Sequence, residues 1–472
     1  MKAFFLALVS GVLSGAAAAS TAGNITALFE PSLSPGAAIY YKTDPNWTNE
    51  VTQRWTFYEA PVYYAAIKPA TVTDVQAIIK IAVKNKINFM TTGAGHSNTV
   101  SAQGLDGVQI DMSGFNTTVY DATSKTVTIG GGGCVGMVGA TLGGGVGRLQ
   151  GLHGLIIDAL LSVEIVTPNG QLITASKSQN AELFWGLRGA GMNFGIIVSA
   201  TYETYPATNG GKFTNADFIF RASSNASHWA ILQSFNRNMP AALSFTMNIG
   251  FNATFNEPLI LMNAIYAGPQ AEAEKILAPF INNNPIQSNI SMIPYTSVNS
   301  APLFGKGDSP ICQGTGADNL PLNNYALGLK QIDSDTFTNW FADVADFYHA
   351  NPGLQTISLT IQRLATQAVL AVPDISTAYG HREIIAHLIF INGYNVANAT
   401  LTATLTTYMK QTIDAFQATS GFAEKSMYVN YAHGDEGAAA WYSSRKLPFL
   451  MALKEKWDPQ RLFSWTNPIP EY

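Results

Sequence analysis

The stretch from Gly130 to Gly147 constrains this chain more than any other, because ten of its eighteen residues are glycine. Each glycine costs roughly 0.5–1 kcal/mol of backbone entropy. It is useful where φ must be positive or where a ligand or another backbone must approach closely. A smaller version lies upstream, Thr92-Gly93-Ala94-Gly95-His96-Ser97. One loop carries an imidazole and the other carries the thiol of Cys134. Two bare loops, each with a nucleophile, imply a large anionic cofactor that could be held covalently.

The remaining composition narrows the class. The chain has 472 residues, 47% hydrophobic and 12% charged, with a net charge of −5. That is room for two or three domains and a globular composition. It gives no basic footprint for nucleic acid. Lys2 precedes an apolar run, Ala3 to Val9, and Ala17-Ala18-Ala19 fits a small-residue cleavage site. Residues 1–19 are therefore expected to be a signal peptide. No later apolar run is long enough to cross a bilayer. Sequons at Asn24, Asn46, Asn116, Asn225, Asn252, Asn289 and Asn398 fit a secreted glycoprotein. The expectation is a secreted monomer without membrane or nucleic-acid partners. The two cysteines, Cys134 and Cys312, are open to two readings: one disulfide, or a site role for Cys134 inside its glycine loop.

Periodicity divides the mature chain. Residues 20–56 read as irregular. Val62–Ile67 reads as a strand. Thr73 is the expected cap of a helix with Val75, Ile78, Ile79 and Val83 on one face. Strands follow at Ile87–Met90, Gly107–Met112 and Thr126–Ile129, then at Ser162–Val166 and Gly195–Tyr202, with a short helix at Glu182–Arg188. From about 208 to 424, strands at Leu243–Phe251, Leu259–Tyr266, Thr356–Leu364 and Arg382–Ile391 alternate with helices at Gln270–Phe280, Asp335–Tyr348 and Leu401–Phe416. This pattern fits an antiparallel sheet covered on one side by helices. The fingerprint G-x-G-x-x-G fails. Gly145-x-Gly147 is followed by Gln150, and Gly189-x-Gly191 by Phe194, which argues against a nicotinamide-binding doubly wound sheet.

Four segments carry a resemblance. They are Phe89-Met-Thr-Thr-Gly-Ala-Gly-His96-Ser; Cys134-Val-Gly-Met-Val-Gly-Ala-Thr-Leu-Gly-Gly-Gly-Val-Gly-Arg148; Asn180-Ala-Glu-Leu-Phe-Trp-Gly-Leu-Arg-Gly-Ala-Gly-Met-Asn-Phe-Gly195; and Tyr428-Val-Asn-Tyr431 with Lys456-Trp-Asp-Pro-Gln-Arg-Leu-Phe463. Over nearly the whole mature chain, the sequence resembles the fungal berberine-bridge-enzyme-like oxidases of the vanillyl-alcohol-oxidase flavoprotein superfamily. The resemblance implies an α+β, two-domain PCMH-type fold. Residues 57–207 would form the FAD module and 208–424 a substrate domain on an antiparallel sheet covered by helices. Residues 425–472 would complete the FAD site.

It also implies roles. Gly93, Ala94, Gly95 and Ser97 would offer amides to the FAD pyrophosphate. His96 would attach covalently to the flavin, and Cys134 is placed for a second link. Val138, Gly139, Gly143 and Gly144 would line the cofactor, and Asn430 would orient its edge. Tyr431 would be the base that deprotonates the substrate hydroxyl as hydride leaves for the flavin, with dioxygen as the final acceptor and hydrogen peroxide as product. A phenol of ordinary pKa near 10 needs a cation or the oxidised flavin nearby to serve as a base at neutrality. If the segment is a strand, Tyr428 and Tyr431 face opposite sides, which assigns Tyr428 to the core. Arg188, Asn193 and Asp158 read as structural or adenine-side residues.

The chain departs from that family in one place. Gly130–Gly133 runs directly into Cys134, where relatives carry a helix and a strand of roughly 25 residues by average element lengths. Three functions follow from this reading. The first is an oxidase acting on an alcohol or activated C–H of a fungal secondary metabolite. The second is a carbohydrate oxidase of the same fold. The third is a secreted glycoprotein inactivated by the deletion. Few charges in the second domain favour a neutral substrate.

Overall fold

The computed structural model describes residues 24–132, 136–306 and 321–471. The expected leader 1–19, Cys134 and Cys312 lie outside them. Three sheets organise the described chain. The first has the order β1-β2-β4-β3, formed by β1 (Ala38–Tyr40), β2 (Val62–Lys68), β3 (Asn88–Thr92) and β4 (Asp106–Asp111). Strand β4 runs parallel to both β2 and β3. The helix Val72–Asn85 makes the crossover from β2 to β3 and buries Val75, Ile78, Ile79 and Ala82 at helical spacing. Its cap is Thr71 rather than Thr73. The Thr71 hydroxyl accepts the Asp74 amide while the Asp74 carboxylate accepts the Thr71 amide, which satisfies two donors reciprocally. Residues 24–56 are not purely irregular. Ile25 and Phe29 are buried in the core against this sheet, and β1 extends its edge.

The second sheet is antiparallel with order β5-β6-β9-β7-β8. Its strands are β5 (Thr118–Asp121), β6 (Thr126–Gly130), β7 (Leu160–Val166), β8 (Leu172–Ser176) and β9 (Ile196–Glu203). The front of the glycine run continues this sheet. The Gly131 amide donates to Val198 and the Gly132 amide to Phe115. A Cβ at Gly131 would lie 2.0 Å from the Ile197 carbonyl oxygen, and one at Gly132 would lie 1.7 Å from that of Met112. These glycines are therefore required by backbone packed on backbone, not by a ligand.

The third sheet is antiparallel with seven strands in the order β13-β10-β12-β11-β15-β16-β14. They are β10 (Lys212–Phe220), β11 (Leu243–Asn252), β12 (Glu257–Tyr266), β13 (Gln287–Pro294), β14 (Tyr325–Leu329), β15 (Ser358–Leu364) and β16 (Ala386–Ile391). One face carries Phe218, Phe245, Met247, Met262, Ile361 and Leu388. They pack with residues of the helices Asn225–Asn238, Gln270–Ile281, Ser334–Ala350 and Ala399–Thr419. The α+β class with a helix-covered antiparallel sheet is the architecture expected from the sequence. The other face carries a polar row beside a small apolar cluster around Phe213 and Ile265. Register places Asp217, Asn263, Thr246, Gln362 and His387 in one row across five adjacent strands.

The C-terminal residues return to the first half of the chain. Met427, Val429, Trp441, Leu450 and Ile469 share a core with Phe184, Leu187 and Phe194.

Candidate active site

The first glycine loop leaves β3 and is fastened from below by residues 52–55. Thr52 is fixed by Asp111, whose carboxylate accepts the Thr52 amide at 2.7 Å and its hydroxyl at 3.0 Å. Arg54 then donates to the carbonyls of Ser97 at 3.0 Å and Thr99 at 2.6 Å. Gly95 has φ +74, and a Cβ there would sit 2.1 Å from the Gln53 carbonyl oxygen. A Gly95→Ala variant should therefore displace the loop. A non-glycine residue in the left-handed region costs about 1–3 kcal/mol even before the clash. The expected result is a lowered melting temperature and a lower flavin-to-protein absorbance ratio, with an unchanged ratio counting against this loop as the cradle.

Residues Gly93, Ala94, Gly95 and Ser97 are all partly accessible, so their backbone can meet a ligand. His96 reaches solvent at the loop's rim and packs against Trp55 with ring centroids 5.9 Å apart. Partial desolvation lowers its pKa, which keeps the imidazole neutral and nucleophilic. Its ring makes no hydrogen bond among the described residues.

The second glycine segment is not simply a loop, because Met137–Gly143 is helical and begins at Gly136 with φ +66. Gly136 faces Ala94 of the first loop. Gly139 is exposed and has open space where a Cβ would be, as a cofactor-facing position requires. Val138, Gly143 and Gly144 point elsewhere. Val138 is buried in the core. A Cβ at Gly143 would lie 2.0 Å from Asn430 Oδ1, and one at Gly144 (φ +140) would lie 2.8 Å from the Tyr379 ring. These two glycines make room for protein side chains rather than for a ligand.

Asn430 and Tyr428 lock this helix in place. Asn430 Nδ2 donates to the Gly139 carbonyl at 3.0 Å and the Ala140 carbonyl at 3.3 Å. Tyr428 donates to the Ala140 carbonyl at 2.8 Å and accepts the Gly145 amide at 3.1 Å and Asn430 Nδ2 at 3.0 Å. Asn430 thus positions the glycine segment.

The strand expected at Tyr428–Tyr431 is instead a 3-10 turn over Val429–Tyr431. Residues three apart eclipse in such a turn. The two rings consequently meet edge to face, with centroids 4.9 Å apart, rather than facing opposite sides. Tyr428 is nonetheless buried, as a core residue should be.

Tyr431 donates to Gln362 Oε1 at 2.9 Å on the polar face of the seven-stranded sheet. Its ring stands nearly perpendicular to that of His387, with centroids 5.8 Å apart. Burial pushes the Tyr431 phenol up to about 12, opposed only by the bond to Gln362. Burial pushes His387 down to about 3, so its imidazole is neutral. The cation expected beside Tyr431 is not found among the described residues.

Asp158, Arg188 and Asn193 are structural. Asp158 pairs bidentately with Arg382, with contacts of 2.7 and 2.9 Å. Arg188 donates to the carbonyls of Phe184 and Ser376. Asn193 binds the Tyr442 hydroxyl and the Ile469 amide. Gln362, His387 and Arg54 escape local sequence reading because their partners lie tens of residues away.

Of the sequon asparagines, Asn24, Asn46, Asn116, Asn289 and Asn398 are exposed, while Asn252 and Asn225 are half-buried. Both amide atoms of Asn225 are engaged, with Thr338 and Trp229. It is therefore a poor glycan acceptor.

Residues 64–133 match a family model described as an FAD binding domain, and residues 427–470 match one described as berberine and berberine like. The FAD-linked oxidoreductase azaL of Aspergillus niger is 46% identical, covering 91% of this chain and 95% of its own length. That alignment spans 456 positions, about two dozen more than 91% of the chain's 472 residues supplies, so the relative has residues that are missing here. The FAD-linked oxidoreductase tazG of Aspergillus terreus is 41% identical over 98% of both chains. Among solved structures, the berberine-bridge-like protein 1 of Physcomitrella patens superposes with TM-score 0.79 at 21% identity, over 93% of this chain and 97% of its own. A chitooligosaccharide oxidase superposes with TM-score 0.78 at 20% identity, over 95% and 99%.

The glycine cradle fits FAD. It offers backbone amides, an open position at Gly139 and a neutral histidine, with no aspartate or glutamate in Thr92–Ser97 to repel a pyrophosphate. The chain belongs to the berberine-bridge-enzyme-like FAD-linked oxidoreductases.

Proposed function

We propose that this protein is a secreted oxidase that takes hydride from an alcohol or activated C–H of a small molecule and passes the electrons to dioxygen, releasing hydrogen peroxide. FAD, when bound, supplies the two-electron acceptor and the route to oxygen. Gly93, Ala94, Gly95 and Ser97 would hold its pyrophosphate, and His96 would attach to it. The chain's own chemistry is the handling of one proton.

The observation that carries this reading is the placement of Tyr431. Its hydroxyl is held by Gln362 on a polar sheet face, next to the segment that Tyr428 and Asn430 fasten to the glycine helix. A substrate hydroxyl bound there would give its proton to Tyr431. Neutral His387 adds a polar edge without competing as a charge.

Peroxide release on a panel of alcohols and oligosaccharides tests the function and separates a small-metabolite oxidase from a carbohydrate oxidase. A well-folded protein that binds flavin yet releases peroxide from no member would point to the inactivated reading. Secretion and glycosylation are part of the proposal and rest on the N-terminal pattern and the exposed sequons. Among the described residues no helix is long and apolar enough to cross a membrane.

Covalent attachment has its own test. Acid precipitation of the wild type should leave the yellow colour in the pellet. His96→Ala should release at least most of it into the supernatant, unless a second link persists, in which case a peptide carrying flavin on Cys134 is recovered after digestion. Loss of colour from the wild-type pellet would rule out covalent attachment altogether.

A further inference from the structure

Arg148 ends the second glycine segment, outside the groups assigned to the flavin and to the proton. Its loop crosses from the first half of the chain onto the polar face of the seven-stranded sheet, where Leu149 and Leu152 pack near Phe213 and Ile265. Its one hydrogen bond among the described residues is a long one, from Nη1 to Ser244 Oγ at 3.4 Å. A guanidinium has five donors, so this half-buried residue keeps most of them available to a ligand. Burial lowers the Arg148 pKa to about 10, and the nearby Asp217 opposes that shift. Yet Asp217 forms no ion pair with it. The Asp217 carboxylate is filled by Asn263 Nδ2 at 2.8 Å, Asn215 Nδ2 at 2.8 Å and the amides of Leu303 and Phe304 at 2.7 and 3.1 Å.

Sheet register gives the distance scale. Thr246 lies directly opposite Gln362, and Ser244 lies two residues along from Thr246. Ser244 and Gln362 are therefore diagonal neighbours, roughly 7–8 Å apart. Arg148 stands over Ser244 and Tyr431 over Gln362, with half-buried Thr246 between them. That span is about one aromatic ring with an oxygen at each end.

We infer that Arg148 is a specificity-determining residue that anchors a neutral carbonyl oxygen of the substrate, about one ring away from the hydroxyl that Tyr431 deprotonates. The inference rests on the oxidase reading for the identity of that hydroxyl. A carbonyl is favoured over a carboxylate because the acidic side chain of Asp217 lies close enough to act on Arg148 and offsets the charge that would attract an anion.

The test compares three benzyl alcohols of one shape by calorimetric binding to the purified flavoprotein: 4-(hydroxymethyl)acetophenone, 4-ethylbenzyl alcohol and 4-(hydroxymethyl)benzoate. A hydrogen bond to a charged donor predicts that the acetyl compound binds about ten- to a hundredfold tighter than the ethyl compound. The benzoate should show no advantage over the acetyl compound. Arg148→Met should remove the acetyl preference while keeping the affinity for the ethyl compound, and Arg148→Lys should keep part of the preference. Equal binding of the acetyl and ethyl compounds by the wild type, binding of neither, or a preference that survives in Arg148→Met would each overturn the inference. The wild-type comparison stands even if a variant fails to fold. Peroxide is measured in the same samples. Discrimination without peroxide would retain the subsite and sink the oxidase reading, and peroxide without discrimination would do the reverse.

Discussion

Tyr431→Phe should lower kcat by about 10²- to 10⁴-fold, the usual range for loss of a positioned general base. The substitution removes one oxygen and keeps the ring, so the edge-to-face contacts with Tyr428 and His387 survive. The lost hydrogen bond leaves Gln362 Oε1 on a half-buried residue that water can reach, so stability should change little. Flavin content and substrate affinity should also be nearly unchanged, which separates this outcome from general damage.

The pH profile gives a second readout. Burial lifts the phenol to about 12 and His387 remains neutral. The working base is the phenolate, whose fraction rises with pH below that pKa. In the wild type kcat/KM should therefore climb from neutrality into the alkaline range, and in Tyr431→Phe this rise should disappear. A variant with full turnover, or one retaining the same pH slope, would remove Tyr431 from the chemistry.

How much of this was legible in the sequence depends on the range of the interactions. The helix Val72–Asn85 and strand β4 were readable because their apolar spacing is local. Strand β10 was not read, because its alternation is incomplete: Ala216 and Phe218 flank Asp217, but apolar Ile219 separates Phe218 from Phe220. Asn215 and Asp217 are poor strand formers, and their use becomes visible only when the sheet brings Asn263 beside them. Tyr431 was found through the family resemblance, but its partner Gln362 lies 69 residues upstream and has no local signature.

From the sequence, Cys134–Gly147 reads as flavin-facing and Gly130–Gly133 as a junction, whereas the described glycines of the run serve three ends. Gly131 and Gly132 serve sheet packing, Gly139 is open, and Gly143 and Gly144 accommodate Asn430 and Tyr379. A glycine reports that something is close. Only the tertiary structure says whether that neighbour is a ligand, a side chain or another strand.

Asp158→Ala should be the most destabilising single change considered, at about 3–5 kcal/mol. Asp158 and Arg382 expose only 7% and 3% of their side chains and join two halves of the molecule. Removing the carboxylate strands a buried guanidinium whose remaining bonds go to Thr377 Oγ1 and the Val369 carbonyl, with its Nε already unpaired. The loss is a large share of the roughly 5–15 kcal/mol that holds a typical protein folded.

It should also reach the active site. Asp158 accepts the Leu155 amide at 2.9 Å. The next two residues, Ile156 and Ile157, donate to the carbonyls of Gly145 and Gly144, at the end of the glycine segment. Flavin content should therefore fall along with the denaturation midpoint. The cause can be isolated with Asp158→Ala/Arg382→Met. Replacing both partners of a buried pair by apolar groups is often nearly neutral, so the double variant should recover much of the loss. A single variant within about 1 kcal/mol of wild type in chemical denaturation would show that the pair does not hold the two halves together. A double variant no more stable than the single one would place the cost in the Asp158 turn rather than in the stranded charge.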